Sequence, residues 1–133
     1  MRVDGGCYCG AVSYRATIDP ARVSICHCTA CQTLTGSPFR VTAVAARDSI
    51  ELTGAAPKIF EKTGDSGRKR HMHFCGACGS PLFSSSAEGT GDWGIRWGSI
   101  RQREALTPTR QIWCGSAVPW IAEVPGLRDD GNP

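Results

Sequence analysis

A chain of 133 residues with a formal charge of only +3 has room for one small core and too little charge excess to hold a polyanion, so nucleic acid is not an expected partner. No run approaches the roughly 18 apolar residues of a membrane span. The start, "MRVDGGCYCGAV", lacks the apolar centre of a signal peptide, and the expected setting is soluble and cytoplasmic, away from membranes.

The 16 glycines and 8 prolines are spread along the chain, which predicts many short elements joined by tight turns in a single domain over 1–133, with 121–133 a partly ordered tail. The predicted elements are mainly strands, and the fold class is all-β. "GGCYCGAV" reads as an extended segment that brings Cys7 and Cys9 to one side. "AVSYRATI" alternates inward and outward residues and is cut by Asp19-Pro20. A short helix over Thr29 to Leu34 follows the cysteine-rich stretch "SICHCTACQTLTGS". "FRVTAVAA" is a half-buried strand. "PKIFEKT" and "RKRHMHF" flank "GDSG" as a hairpin. "DWGIRWGSI" puts Trp93, Ile95 and Trp97 on one face at period two. "RQIW" follows the break at Pro108, and "PGLRDDGNP" closes the chain.

Eight cysteines allow either a disulfide framework or metal sites. Seven of them fall in C-x-C, C-x-C-x-x-C and C-x-x-C patterns, which are ligand spacings, and without an export signal thiols are expected to stay reduced. "FCGACGS" forms a knuckle in which Cys75 and Cys78 converge and Gly79 takes positive φ. That pair needs two more sulfurs, and spacing leaves two choices. Cys7 and Cys9 could complete a closed four-thiolate zinc site, or Cys28 and Cys31 could do so as a zinc ribbon. If four thiolates bind one Zn²⁺ and three another, the net charge falls near zero. The basic isoelectric point then carries no functional meaning.

Outside the clusters, His27 points away from its flanking cysteines if the strand is extended, whereas His71 or His73 could supply a further ligand. Arg68 and Arg70 in "GRKRHMH" are candidates for holding substrate carboxylates or form a solvated hairpin face. Cys114 is read as a buried, inert thiol or as a reactive one. The four tryptophans, Trp93, Trp97, Trp113 and Trp120, are read as core, with Trp113 or Trp120 available as pocket walls.

The segments "GGCYCGAVSY", "CHCTACQTLTGS", "FCGACGSPLF", "WGSI" and "IWCGSAVPW" occur in that order. Together they resemble the glutathione-dependent formaldehyde-activating enzyme family, which includes centromere protein V, from about Gly5 to about Leu127. The resemblance implies the β-tent fold and two zinc ions per chain. Cys7, Cys9, Cys75 and Cys78 would hold a structural zinc. Cys26, Cys28 and Cys31 would hold a second, catalytic one with an open fourth position, less tightly bound and partly empty. It further implies carbon–sulfur lyase chemistry of the S-(hydroxymethyl)glutathione synthase type, on a small-molecule thiol such as glutathione and an aldehyde such as formaldehyde. Arg101 departs from the family pattern, where an acidic residue is common. Two alternatives remain at this point: a zinc-stabilised binding module without catalysis, and a thiol-dependent reductase using Cys114. The latter rests on a partial likeness of Cys114-Gly115-Ser116 to methionine-R-sulfoxide reductases.

Overall fold

The computed structural model describes residues 1–132. These build an all-β single domain from β1 (Arg2–Gly6), β2 (Val12–Cys26), β3 (Arg40–Ala45), β4 (Glu51–Gly54), β5 (Lys58–Thr63), β6 (Lys69–Phe74), β7 (Pro81–Ser86), β8 (Trp93–Arg96) and β9 (Arg110–Ile112), with one α-helix, α1 (Thr29–Thr35). No described helix is long and apolar enough to cross a membrane.

The strand β2 organises everything else. It does not stop at Asp19-Pro20, contrary to the sequence expectation, but bends there. Its register against β3 shifts between Asp19 and Val23, where no ladder bond requires the N–H that Pro20 lacks. The Asp19 carboxylate accepts the Ala21 N–H at 2.9 Å and holds the bend. Before the bend β2 lies between β1 and β4. Beyond it, β2 pairs antiparallel with β3 and parallel with the short β9. One strand thus joins two leaves, and the second leaf continues as β3-β8-β7-β6-β5.

Alternation decides what each leaf buries. Val12, Tyr14, Ala16 and Ile18 of β2 face inward with Val3 of β1, and Ala43, Ala45, Phe83 and Ile95 answer from the second leaf. Burying a side chain such as Phe83 or Ile95 contributes about 1.5–3 kcal/mol. The opposite face of the second leaf has different chemistry. Cys26 stands opposite Arg40, and Thr42 opposite Arg96, so these side chains share one face. The sheet curves enough for the Met72 sulfur on β6 to meet Arg96 at 3.2 Å and Arg40 at 3.8 Å, although strands intervene between them.

The β5–β6 hairpin forms about Gly64–Gly67 as anticipated, with Gly67 at φ 80°. Two strands were not anticipated. The exposed "ELTG" of β4 has no alternation, and "PLFSSS" of β7 is a contiguous buried run that period two cannot identify. Trp93 and Ile95 lie on β8, but Trp97 falls beyond it in a 3₁₀ turn over Trp97–Ser99. There the Trp97 indole N–H donates to the Leu106 carbonyl at 2.9 Å. Trp93 and Trp97 pack against the core, as expected, whereas Trp113 and Trp120 are exposed and contribute nothing to it.

Candidate metal centres

The structure gathers seven of the eight cysteines into two groups, Cys7, Cys9, Cys75 and Cys78 in one and Cys26, Cys28 and Cys31 in the other. Within each group all sulfurs lie within 4.8 Å of one another. The ribbon pairing of Cys28 and Cys31 with Cys75 and Cys78 is not the one the fold makes.

The four-sulfur group is assembled from two tight turns. Cys7 and Cys9 do not converge through an extended strand, as the sequence suggested. They converge because the chain turns back after β1, with the Gly10 N–H on the Cys7 carbonyl and the Cys7 N–H on the Val12 carbonyl. Gly10 takes φ 80° to make this possible. The second turn is its counterpart: the Gly79 N–H donates to the Cys75 carbonyl at 2.9 Å and Gly79 has φ 78°, as anticipated. The Ser80 hydroxyl accepts the Tyr8 N–H at 3.0 Å and ties the turns together. Cys7 and Cys9 sulfurs are 3.6 Å apart, and Cys9 and Cys75 sulfurs 3.8 Å.

The three-sulfur group comes from one local segment. Cys26 ends β2, Cys28 caps α1 by accepting the Cys31 N–H at 3.2 Å, and Cys31 is buried on the first turn of the helix. Gly36 in the left-handed conformation terminates that helix.

Proton sharing within each group fits a cation-binding role. Burial, then Cys28, pushes the Cys31 thiol up to about 12. Burial works against ionisation of Cys28 too, but the Cys31 amide and its neighbours outweigh it and the pKa is lowered. In the other group the Ser80 hydroxyl and amide bring Cys78 down to about 5. For Cys9 the Ala11 amide acts downward, yet Cys7 and burial prevail and raise the thiol to about 11. Sulfurs this close cannot all ionise unless a cation neutralises them. Sets of three and four convergent thiolates match the donor chemistry of Zn²⁺, and both clusters can hold a metal ion.

Among the described residues, no histidine, carboxylate or fourth cysteine joins the group of three. The strand ends at Cys26, so His27 is not held away by strand alternation. It is buried and its Nε2 bonds the Gln111 side chain at 2.9 Å. His73 bonds the Ser85 hydroxyl at 2.9 Å, and burial, then His71, brings it down to about 4. His71 faces Glu61 at 3.4 Å. Cys114 belongs to neither group and is exposed on a 3₁₀ turn, not buried. Trp113 before it has φ 57° and is 62% exposed.

The residues that sequence reasoning missed are cationic. Arg40 and Arg96 are 6% and 7% exposed, and neither meets a carboxylate among the described residues. Burial, then the Arg40 charge, lowers Arg96 to about 9, with Arg70 adding to the effect and Cys31 and Cys26 opposing it. Lys62 acts on Cys28 and Arg40 on Cys31. Arg70 acts on Arg96 and also lines, with Arg68, Glu88 and Thr90, a separate hollow at the β5–β6 hairpin, where Arg68 is exposed. An arginine at an alternating position in "FRVTAV" and another in "WGIRW" were the available signals. A cavity of about 760 Å³ has Arg40, Arg96, Phe39, Val41, Trp97 and Pro81 among its walls; Cys7 of the four-sulfur group lines it, and Cys26, Cys28 and Cys31 do not.

The chain matches, over residues 2–116, the family model described as glutathione-dependent formaldehyde-activating enzyme. It belongs to that family. An uncharacterized lyase of Schizosaccharomyces pombe is 25% identical over 109 residues, covering 82% of this chain and 76% of the relative. A crystal structure of a Rhodobacter sphaeroides protein superposes with a TM-score of 0.62 at 17% identity, covering 81% of this chain and 98% of the other. At that identity the likeness concerns the fold.

Proposed function

We propose that this member of the glutathione-dependent formaldehyde-activating enzyme family is a zinc-dependent carbon–sulfur lyase that makes and breaks thiol adducts of formaldehyde or another aldehyde, glutathione being the reference thiol. The observation that carries this reading is the group of Cys26, Cys28 and Cys31, which converges without a fourth protein ligand among the described residues. Three ligands with an open place are the usual arrangement of a catalytic zinc, and a closed set of four that of a structural one. Cys7, Cys9, Cys75 and Cys78 would hold the structural ion.

A zinc ion on the three-cysteine group would supply Lewis acidity and keep an incoming thiol as its thiolate near neutral pH. In the forward direction a carbon–sulfur bond forms, the π bond of the carbonyl breaks, and its oxygen takes up the proton released by the thiol. Water carries that proton, since among the described residues no histidine or carboxylate joins the group. The chain itself contributes position: β2 and β3 fix Cys26 across from Arg40, and α1 fixes Cys28 and Cys31. The open ligand position supports an enzyme over a binding module closed by His71, His73 or Cys114.

The test is exchange of ¹³C-formaldehyde with glutathione, followed by magnetisation-transfer NMR against the uncatalysed rate, with zinc per chain measured on the same sample. Acceleration that disappears when the second zinc is withdrawn is expected. A sample with two zincs per chain that accelerates no thiol–aldehyde exchange would overturn the lyase reading.

A further inference from the structure

Methionine occurs twice in the chain. Met1 is 43% exposed at the N-terminus. Met72 is half-buried in the middle of β6. It stands opposite the exposed Phe60 of the edge strand β5 on one side and the buried Ser84 of β7 on the other. Its sulfur takes an N–H from Arg96 at 3.2 Å and one from Arg40 at 3.8 Å. A thioether is a weak acceptor, better suited to apolar surroundings than to two cations.

The guanidiniums have little else to bond. Each carries several N–H donors. Besides the sulfur, their side-chain partner among the described residues is the Thr42 hydroxyl, which accepts from Arg96 at 2.9 Å. The buried Arg40 Nε has none. Buried donors without acceptors are costly, and the Met72 sulfur is the atom that both side chains reach. One oxygen added to it would turn a weak acceptor into a strong one, and the spacing accommodates that oxygen. A sulfoxide oxygen that accepts an N–H at about 2.8 Å leaves sulfur and nitrogen about 3.7 Å apart. The Arg40 nitrogen already stands at 3.8 Å.

We infer that Met72 is a modification site, oxidised by hydrogen peroxide to a sulfoxide whose oxygen is received by the Arg40 and Arg96 guanidiniums. The sulfur lone pair attacks one peroxide oxygen, a sulfur–oxygen bond forms and the oxygen–oxygen bond breaks. Sulfur is oxidised by two electrons and peroxide is reduced by two. Hydroxide leaves towards the guanidiniums, which stabilise its charge, and takes the proton of the transferred hydroxyl to become water. A methionine sulfoxide commonly disrupts the packing around it, and sulfoxide reductases reverse it. At this position the oxidised side chain matches its neighbours better than the reduced one, and it occupies donors that the reduced protein leaves free. The inference is independent of the lyase reading.

The experiment treats the zinc-loaded protein with limiting hydrogen peroxide and follows both methionines by peptide mass spectrometry. Met1 is the internal reference, so peroxide consumed by the thiols cancels from the ratio. Met72 is expected to oxidise about 3- to 10-fold faster than Met1, although it is the less exposed, because donors await the leaving hydroxide. One sulfoxide epimer should predominate in the digested peptide, read with the two epimer-specific reductases. After dithiothreitol has restored the thiols and zinc has been reloaded, the melting temperature should be no lower than before oxidation. Arg96→Gln should lower the Met72-to-Met1 ratio, and Arg96→Lys should restore part of it. Oxidation of Met72 no faster than that of Met1 in the wild-type protein overturns the site, whatever the variants do. A lower melting temperature, or equal amounts of the two epimers, overturns the placement of the oxygen on the arginines. A ratio in Arg96→Gln that is unchanged or higher overturns the part given to Arg96.

Discussion

The two cysteine groups use the same side chain to different ends, and the contrast lies in what surrounds the sulfurs. The group of four joins turns far apart in the chain, its Cys9 and Cys75 sulfurs touching across 66 positions. Its sulfurs receive N–H and O–H donors from Val12, Ala77 and Ser80. The group of three sits within six residues, leaves one coordination place free, and is faced by arginines and a lysine. A closed set among neutral donors fits the proposed structural role, and an open set in a cationic surrounding fits the proposed role of receiving a thiolate. Chain topology adds to the difference, since bridging distant segments removes loop entropy from the unfolded state and bridging neighbours removes little.

The largest expected effect follows from that last point. Cys75→Ser should leave the chain unfolded at 25 °C by far-ultraviolet circular dichroism, because a structural zinc contributes about 10–16 kcal/mol of apparent binding energy against a net stability of about 5–15 kcal/mol. A native-like spectrum in that variant would break the comparison. Cys31→Ser should be milder for the fold and severe for function. One zinc per chain should remain by elemental analysis, the melting temperature should fall by less than about 5 °C, and aldehyde exchange should drop to the uncatalysed rate. If both variants lose folding alike, the two groups do not differ in kind.

Gln111→Ala tests a support of the second group. It removes the partner of His27, which sits between two of the cysteines, and should cost about 1–2 kcal/mol in denaturant unfolding for the unsatisfied imidazole. The first group should keep its metal. Cys114→Ser should be silent, within about 0.5 kcal/mol in stability and unchanged in zinc content and exchange rate. A loss of turnover there would revive the reductase alternative.

Much of this was legible in the chain. Ligand spacing and reduced thiols pointed to metal, "FRVTAVAA" read as the half-buried β3, the turn residues of "GDSG" gave the β5–β6 hairpin, and Gly79 marked its knuckle. What the sequence left open was which pairs meet. Spacing alone allowed either partner for Cys75 and Cys78, because that choice is made by the pairing of distant strands. The resemblance to the family favoured the pairing the fold adopts. Pro20 read as a break because a proline lacks an N–H, but a bulge asks for none there. Arg40 and Arg96 passed unnoticed since each looks like an ordinary outward residue of a strand. Only the curvature of the second leaf, which turns that face inward, buries them. Arg101 looked like a departure from the family pattern, and it answers Asp4.

The wide separation of Cys9 from Cys75 also bears on how the protein is made. A chain growing from its N-terminus presents Cys26, Cys28 and Cys31 together while most of its length is still unwritten, whereas Cys7 and Cys9 must wait until Cys78 has been added. The group whose sulfurs lie close in sequence is thus complete first, and the group proposed to be structural comes late. During synthesis the early cysteines stand as competitors for the ion that the later ones need.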